Sequence, residues 1–218
     1  MQIKMVEHIL QANDAIAAEN SALLKAHSVF EVNMMGSPGS GKTAILERTL
    51  ERLKELRIGV IEGDITTTMD ADRLARFEVP ITQINTDAFG GDCHLAAHVI
   101  KKALESFDLS TLDLLFVENV GNLVCPAEFE IGENRKVVVL SITEGEDKPL
   151  KYPLMFRVCH SVLINKMDLS PHLDIDLERL RRNIHSVNPK LEIIEVSAKT
   201  GQGIEDWVAW LQTAVQGG

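Results

Sequence analysis

The sequence predicts an α/β fold: a mostly parallel central sheet with helices on both faces, preceded by an N-terminal helix. Three observations predict it. Strand-like apolar runs alternate with stretches of helical apolar spacing along nearly the whole chain, the pattern of crossover-connected parallel strands. Residues 36–43 read Gly36-Ser37-Pro38-Gly39-Ser40-Gly41-Lys42-Thr43, a full G-x-x-x-x-G-K-[ST] match set between a strand-like and a helical segment. The 218 residues are 45% hydrophobic, enough for a sizeable core, and show no repeat, low-complexity tract or interdomain linker. One domain, 1–218, is expected, with 1–27 as a leading helical segment.

The elements follow in order. A helix is expected from about Ile3 to Lys25, and Val29 to Met35 is strand-like. Thr43 to Leu56 has helical spacing, and further strands are expected to begin near Ile58, Ile81, Leu112, Lys136, Ser161 and Leu191. The stretch Gly90-Gly91-Asp92-Cys93-His94-Leu95 is expected to begin the helix after the third strand. The closing helix, Ile204 to Val215, carries Trp207 and Trp210 at helical spacing, which reads as core packing.

Composition excludes several classes. With 22 Lys and Arg against 32 Asp and Glu, the formal charge is −10, and a phosphate polymer would be repelled, so no nucleic-acid partner is expected. The Arg179, Arg181, Arg182 cluster reads as a solvated helix face. No apolar run approaches membrane-span length, and Met1-Gln2-Ile3-Lys4 leads into an amphipathic pattern rather than a signal peptide. Three widely spaced cysteines make no disulfide framework, so a reducing cytoplasm is the expected location.

The phosphate loop and two later motifs together specify GTP. Its glycines let backbone N–H groups turn inward around phosphates, with Gly36 to Thr43 and the following Ala44 lining the loop. Lys42 reaches the β/γ oxygens, and the Thr43 hydroxyl takes a corner of a Mg²⁺ octahedron. In Asn165-Lys166-Met167-Asp168, after the apolar strand Val162-Leu163-Ile164, the Asp168 carboxylate accepts from guanine N1–H and the exocyclic amine; adenine offers no such donor pair on that edge. Asn165 ties this loop back to the phosphate loop, and the Lys166 stem covers one face of the base. Ser197-Ala198-Lys199, beyond another strand, completes the base site at the carboxyl ends of strands, where α/β folds bind ligands.

After Leu112 to Val117 comes Glu118-Asn119-Val120-Gly121. The Glu118 carboxylate holds Mg²⁺ through water, and the Gly121 N–H follows the γ-phosphate. Glu-x-x-Gly resembles the branch of P-loop GTPases that includes signal-recognition and metal-insertion proteins. A polar loop from Ile61 to Asp72 suits a first switch; Asp64, leaving the strand, joins Thr43 and Glu118 near Mg²⁺. Asp64, Asp70 and Asp72 all remain candidates for placing the attacking water.

Two thiols and an imidazole stand beside these motifs. Cys93 and His94 follow the third strand, and Cys125 lies four residues beyond Gly121 in a Pro-flanked loop; together they suit Ni²⁺ or Zn²⁺. Cys159 reads as a buried small hydrophobe. His98, one helical turn after His94, reads as an ordinary histidine, and His8, His27, His160, His172 and His185 show no ligand spacing.

Glu19 to Leu24, Asn33 to Thr43, Gly63-Asp64-Ile65, Asp92-Cys93-His94-Leu95, Glu118 to Pro126 and Glu146 to Pro153 together resemble the HypB family of nickel-insertion GTPases, over nearly the whole chain. The urease counterpart carries Cys-Pro-His and the cobalamin-related metallochaperones Cys-x-Cys-Cys; neither is present. Neither is a Cys-rich or His-rich N-terminal tract, so high-affinity nickel storage there is not expected. The resemblance implies GTP-dependent homodimerisation with metal ligands near the contact, a partner nickel metallochaperone of HypA type, and the hydrogenase large subunit as client. It also implies that Lys148 to Tyr152 approaches nucleotide across the dimer, with Lys151 as the preferred contact; an ordinary solvated lysine at a helix start fits that position nearly as well. Two other readings share the motifs: a maturation GTPase for another metalloenzyme, of urease or cobalamin type, and a nucleotide-regulated metal-binding protein with negligible turnover.

Overall fold

The computed structural model describes residues 2–64, 73–86 and 93–217, with side chains described from residue 10 and without that of Asp64. Seven strands form one sheet: β1 (Phe30–Gly36), β2 (Ile58–Asp64), β3 (Ile81–Asn85), β4 (Leu114–Glu118), β5 (Arg135–Ser141), β6 (Ser161–Asn165) and β7 (Glu192–Glu195). The order is β3-β2-β4-β1-β5-β6-β7, and every pairing is parallel. All carboxyl ends therefore point one way, and β1 lies at the centre, where the strand order reverses.

The helices are α1 (Gln2–Ala26), α2 (Lys42–Arg52), α3 (Ala97–Leu104), α4 (Lys148–Lys151), α5 (Pro153–Val158), α6 (Leu177–Val187) and α7 (Ile204–Gln216). Strand alternation gives the sheet two apolar faces. On one, Val32, Met34, Val60, Phe116, Val137 and Val139 pack against Ile45, Leu46 and Leu50 of α2 and Trp207 and Leu211 of α7. The buried Trp207 donates its indole N–H to Thr49 Oγ1 at 2.9 Å and stacks on Trp210, as core packing requires. On the other face Met155, Phe156, Leu180 and Ile184 cover β5 and β6, while Leu24 of α1 and Ile100 and Leu104 of α3 cover β2 and β4. Among the described residues no helix is long and apolar enough to cross a membrane.

Gly90 to Leu95 does not begin a helix in the described part: Cys93 and His94 form a bend, and α3 starts only at Ala97, after an extended Ala96 (φ −84°, ψ 159°). No local side chain caps α3. Instead, Asn13 of α1 accepts the Ala97 N–H at 3.0 Å, and Asn20 of α1 donates to the Ala97 and Ile131 carbonyls, both at 2.9 Å. A cap supplied from 84 positions away leaves no local signature, so the start was misplaced. His94 and His98 consequently share no helical face.

The central strands bury charge as well as apolar surface. Glu31 of β1 is fully buried, and neither carboxylate oxygen has a hydrogen-bond partner among the described residues. Burial, reinforced by the neighbouring Glu133 carboxylate, pushes Glu31 well above the ordinary carboxyl range. The folded state thus binds a proton that the unfolded chain has released. That contribution to stability is complete below the ordinary carboxyl pKa and is lost as pH rises through the folded value. Glu31→Gln is expected to melt higher than the parent at alkaline pH and to converge with it towards pH 5; each 1 kcal/mol would read as about 2–4 °C for a chain of this size. Melting curves across that pH range check it.

Candidate functional site

The carboxyl ends of β1, β4, β6 and β7 bring the sequence motifs together. β1 ends at Gly36, the chain turns through Ser37 to Gly41, and α2 begins at Lys42. Gly41 adopts φ 101°, and a Cβ there would lie 2.3 Å from Asn165 Nδ2, so only glycine lets the two loops approach this closely. Asn165 uses that proximity. Its Nδ2 donates to the Ser40 carbonyl at 2.9 Å and its Oδ1 accepts the Ala198 N–H at 3.1 Å, tying the loops after β1, β6 and β7 into one unit. Lys166, in the left-handed region at φ 65°, donates from Nζ to the Gly39 carbonyl at 2.8 Å.

Beside this junction lies a cavity of about 340 Å³, lined by Gly41, Ala44, Asn165, Lys166, Asp168, Leu169, Ala198 and Lys199. Asp168 Oδ1 accepts the Ser197 hydroxyl at 2.6 Å, and Ser197 Oγ in turn accepts the Thr200 N–H, so the carboxylate is held in one orientation. Lys199 Nζ stands 3.9 Å from Asp168 Oδ2. A larger depression of about 850 Å³, lined by Arg135, Arg157, His160 and Lys190 among others, lies at the opposite ends of β5 to β7 and holds none of the motifs.

On the other side of the phosphate loop, Thr43 donates its hydroxyl to Glu118 Oε1 at 2.8 Å, and both residues are buried. Two oxygen donors at the start of a helix beside the buried Lys42 are a fitting donor set for a hard divalent cation bound with nucleotide phosphates. Gly121 packs so tightly that a Cβ there would meet Pro38 at 2.9 Å, and Asn122 N–H donates to the Gly36 carbonyl at 3.0 Å in an isolated antiparallel bridge. The segment after Glu118 is thereby fastened to the phosphate loop. A further fastening, Ser37 Oγ–H to Glu144 Oε2 at 2.6 Å, was not anticipated; its partner lies 107 positions away, and only the capping box Ser141-Ile142-Thr143-Glu144 hinted at an ordered acid there.

The sulfur residues divide as expected in part. Cys159 is buried among apolar side chains, 4.0 Å from Met155 Sδ, and burial pushes its thiol far up. Cys93 and Cys125 are half-buried, Cys125 opening a 3-10 turn with Pro126, and the His94 ring stacks on Phe129 at 4.0 Å. Among the described residues no group of three His, Cys, Asp or Glu side chains is placed to hold a metal ion, so one chain does not gather Cys93, His94 and Cys125 into a closed ligand set. Lys151 is exposed and paired at 2.5 Å with Asp147, the residue preceding its helix. Asp70, Asp72 and the side chain of Asp64 lie outside the described residues.

Residues 30–195 match the family of CobW/HypB/UreG nucleotide-binding domains. The hydrogenase maturation factor HypB of Azotobacter vinelandii is 51% identical over 211 residues, covering 96% of this chain and 69% of that protein. Among solved structures, the hydrogenase maturation factor HypB of Archaeoglobus fulgidus superposes with a TM-score of 0.88 at 41% identity, covering 94% of this chain and all of that one. HypB of Helicobacter pylori, solved in complex with nickel, superposes at 0.89 and 36% identity, covering 94% and 95% of the two chains.

Proposed function

The chain belongs to the CobW/HypB/UreG family, and within it to the HypB hydrogenase maturation factors; from that premise we propose that it is a GTP-hydrolysing metallochaperone whose nucleotide state governs its handling of nickel. The observation that carries this reading is the bridge between Gly36 and Asn122. It fastens the segment carrying Glu118, Gly121 and Cys125 directly to the phosphate loop, so one stretch of chain serves both ligands.

Residues 1–218 act as one GTPase domain. Asp168, oriented by Ser197, reads guanine; the loop from Gly36 to Ala44 cradles the phosphates. Thr43 and Glu118 would hold Mg²⁺, with Asp64 nearby, and the ion supplies charge neutralisation at the phosphates when bound. Hydrolysis is phosphoryl transfer to water. A water oxygen bonds to the γ-phosphorus as the bond to the bridging β–γ oxygen breaks, giving GDP and inorganic phosphate, and the water's proton leaves through Asp64, Asp70 or Asp72. Lys42 stabilises the charge that builds on the departing oxygens, and the Gly121 N–H follows the γ-phosphate.

Nickel is cargo. Two thiolates and an imidazole suit Ni²⁺ or Zn²⁺, but a single chain leaves the set open, which supports a site completed by a second copy in a nucleotide-dependent homodimer. Lys151 reaches the neighbour's nucleotide in that dimer once it leaves Asp147. The metal then passes between a HypA-like metallochaperone, this protein and the hydrogenase large subunit in the cytoplasm, where thiols stay reduced.

The test is a nickel titration of the full chain, with GDP and with a non-hydrolysable GTP analogue, followed by calorimetry and by mass. The two states are expected to differ in nickel affinity by about 1–3 kcal/mol, and nickel must shift the relative nucleotide affinities equally. Cys93→Ala and Cys125→Ala are each expected to lose most nickel binding and keep GTP. Equal affinities in the two states, or unaltered stoichiometry in both variants, would leave a nucleotide-binding protein whose metal role lies elsewhere.

A further inference from the structure

Asn119 has no part in nucleotide or metal chemistry, yet it is almost completely buried and every polar atom of its side chain is engaged. It follows Glu118, and strand geometry sends neighbouring side chains to opposite faces of the sheet. Glu118 meets Thr43 on the α2 face. On the other face, Asn119 Oδ1 accepts the N–H of Leu95 at 3.1 Å and of Val120 at 3.0 Å, and its Nδ2 donates to Asn33 Oδ1 at 3.2 Å. Asn33, also fully buried, donates onward to Glu133 Oε1 at 2.9 Å, and Glu133 Oε2 accepts the N–H groups of Ile131 and Gly132.

Leu95 is the residue after His94 and two after Cys93. Its side chain presses on the end of β2: a Cβ added at Gly63 would lie 2.7 Å from Leu95 Cδ1. The residue leaving the Cys93-His94 bend therefore touches two strand ends of the nucleotide face, β2 through packing and β4 through Asn119. A buried N–H deprived of its acceptor is costly, so the chain follows the amide that holds it.

Resting on the nickel-handling reading above, we propose that Asn119 is a positioning residue that carries the state of the Glu118 segment across the sheet to the Cys93-His94 metal segment through its hydrogen bond to the Leu95 N–H. The Asn33–Glu133 pair fixes the amide's orientation, so a displacement of the β4 end translates Asn119 rather than rotating it away from Leu95.

The test compares nickel titrations of full-length Asn119→Ala and Asn119→Asp with the parent, in the GDP and GTP-analogue states, followed by nickel–thiolate charge-transfer absorbance. Both variants are expected to melt lower than the parent, alanine because it leaves Leu95 N–H unpaired and aspartate because its second oxygen meets Asn33 Oδ1. Only alanine removes the acceptor. The parent's ratio of nickel affinities in the two states, expected at about 5-fold or more, should fall towards one in Asn119→Ala and persist in Asn119→Asp. Asn119→Ser, too short to reach Leu95, gives the same reading should the alanine variant not fold. A parental ratio retained in the alanine or serine variant, or lost equally with aspartate, overturns the proposal. A ratio of one in the parent itself removes the nucleotide-coupled nickel reading on which it rests.

Discussion

Asp168→Asn is expected to weaken GTP binding severely and to move preference towards xanthosine triphosphate. The cavity that Asp168 lines offers a carboxylate already held by the Ser197 hydroxyl, an acceptor suited to the two donors of guanine's edge. An amide presents a donor against guanine's amine, but matches the carbonyl that xanthine carries at that position. Sites built around substrate hydrogen bonds discriminate by about 10⁴-fold or more, so the reversal should be large. Competition between the two triphosphates, measured by calorimetry, checks it; an asparagine variant that still prefers GTP would remove Asp168 from base reading.

The second large effect belongs to Lys42. It is buried at the start of α2, and on the proposed mechanism its ammonium stands where negative charge grows as the γ-phosphate departs. Lys42→Ala is expected to lower single-turnover hydrolysis by at least about 10²–10³-fold, the usual cost of one preorganised charge-stabilising donor, even at nucleotide concentrations that restore binding. Phosphate release from pre-bound GTP is the measurement. A variant that hydrolyses normally once loaded would confine Lys42 to binding.

How much of this was legible beforehand follows from range along the chain. Strand starts near Ile58, Ile81 and Ser161, the phosphate loop and the Asn165-Lys166-Met167-Asp168 turn depend on local patterns, and each was found where its pattern stood. The link from Asn165 to the phosphate loop was also anticipated, because two motifs for one ligand must meet. The start of α3 was placed too early, since its cap comes from Asn13 on another helix. Ser37 with Glu144, His94 with Phe129, and the amide row from Leu95 through Asn119 and Asn33 to Glu133 join distant positions of ordinary polarity. Glu31 was equally silent, for an acid inside an apolar strand carries no local sign of what faces it.

The knot at Asn165 bears on how long spent nucleotide stays. One amide clasps the loops after β1, β6 and β7, and on the proposed reading these loops grip what GDP and GTP share: the base and the inner phosphates. Of the groups proposed to meet the terminal phosphate, Lys42 follows the clasped loop after β1, while Glu118 and Gly121 belong to the end of β4 on the far side of β1. The two bonds of Asn165 involve neither Lys42 nor the Glu118 segment. On the proposed GTPase reading, release of GDP is therefore expected to be slower than cleavage.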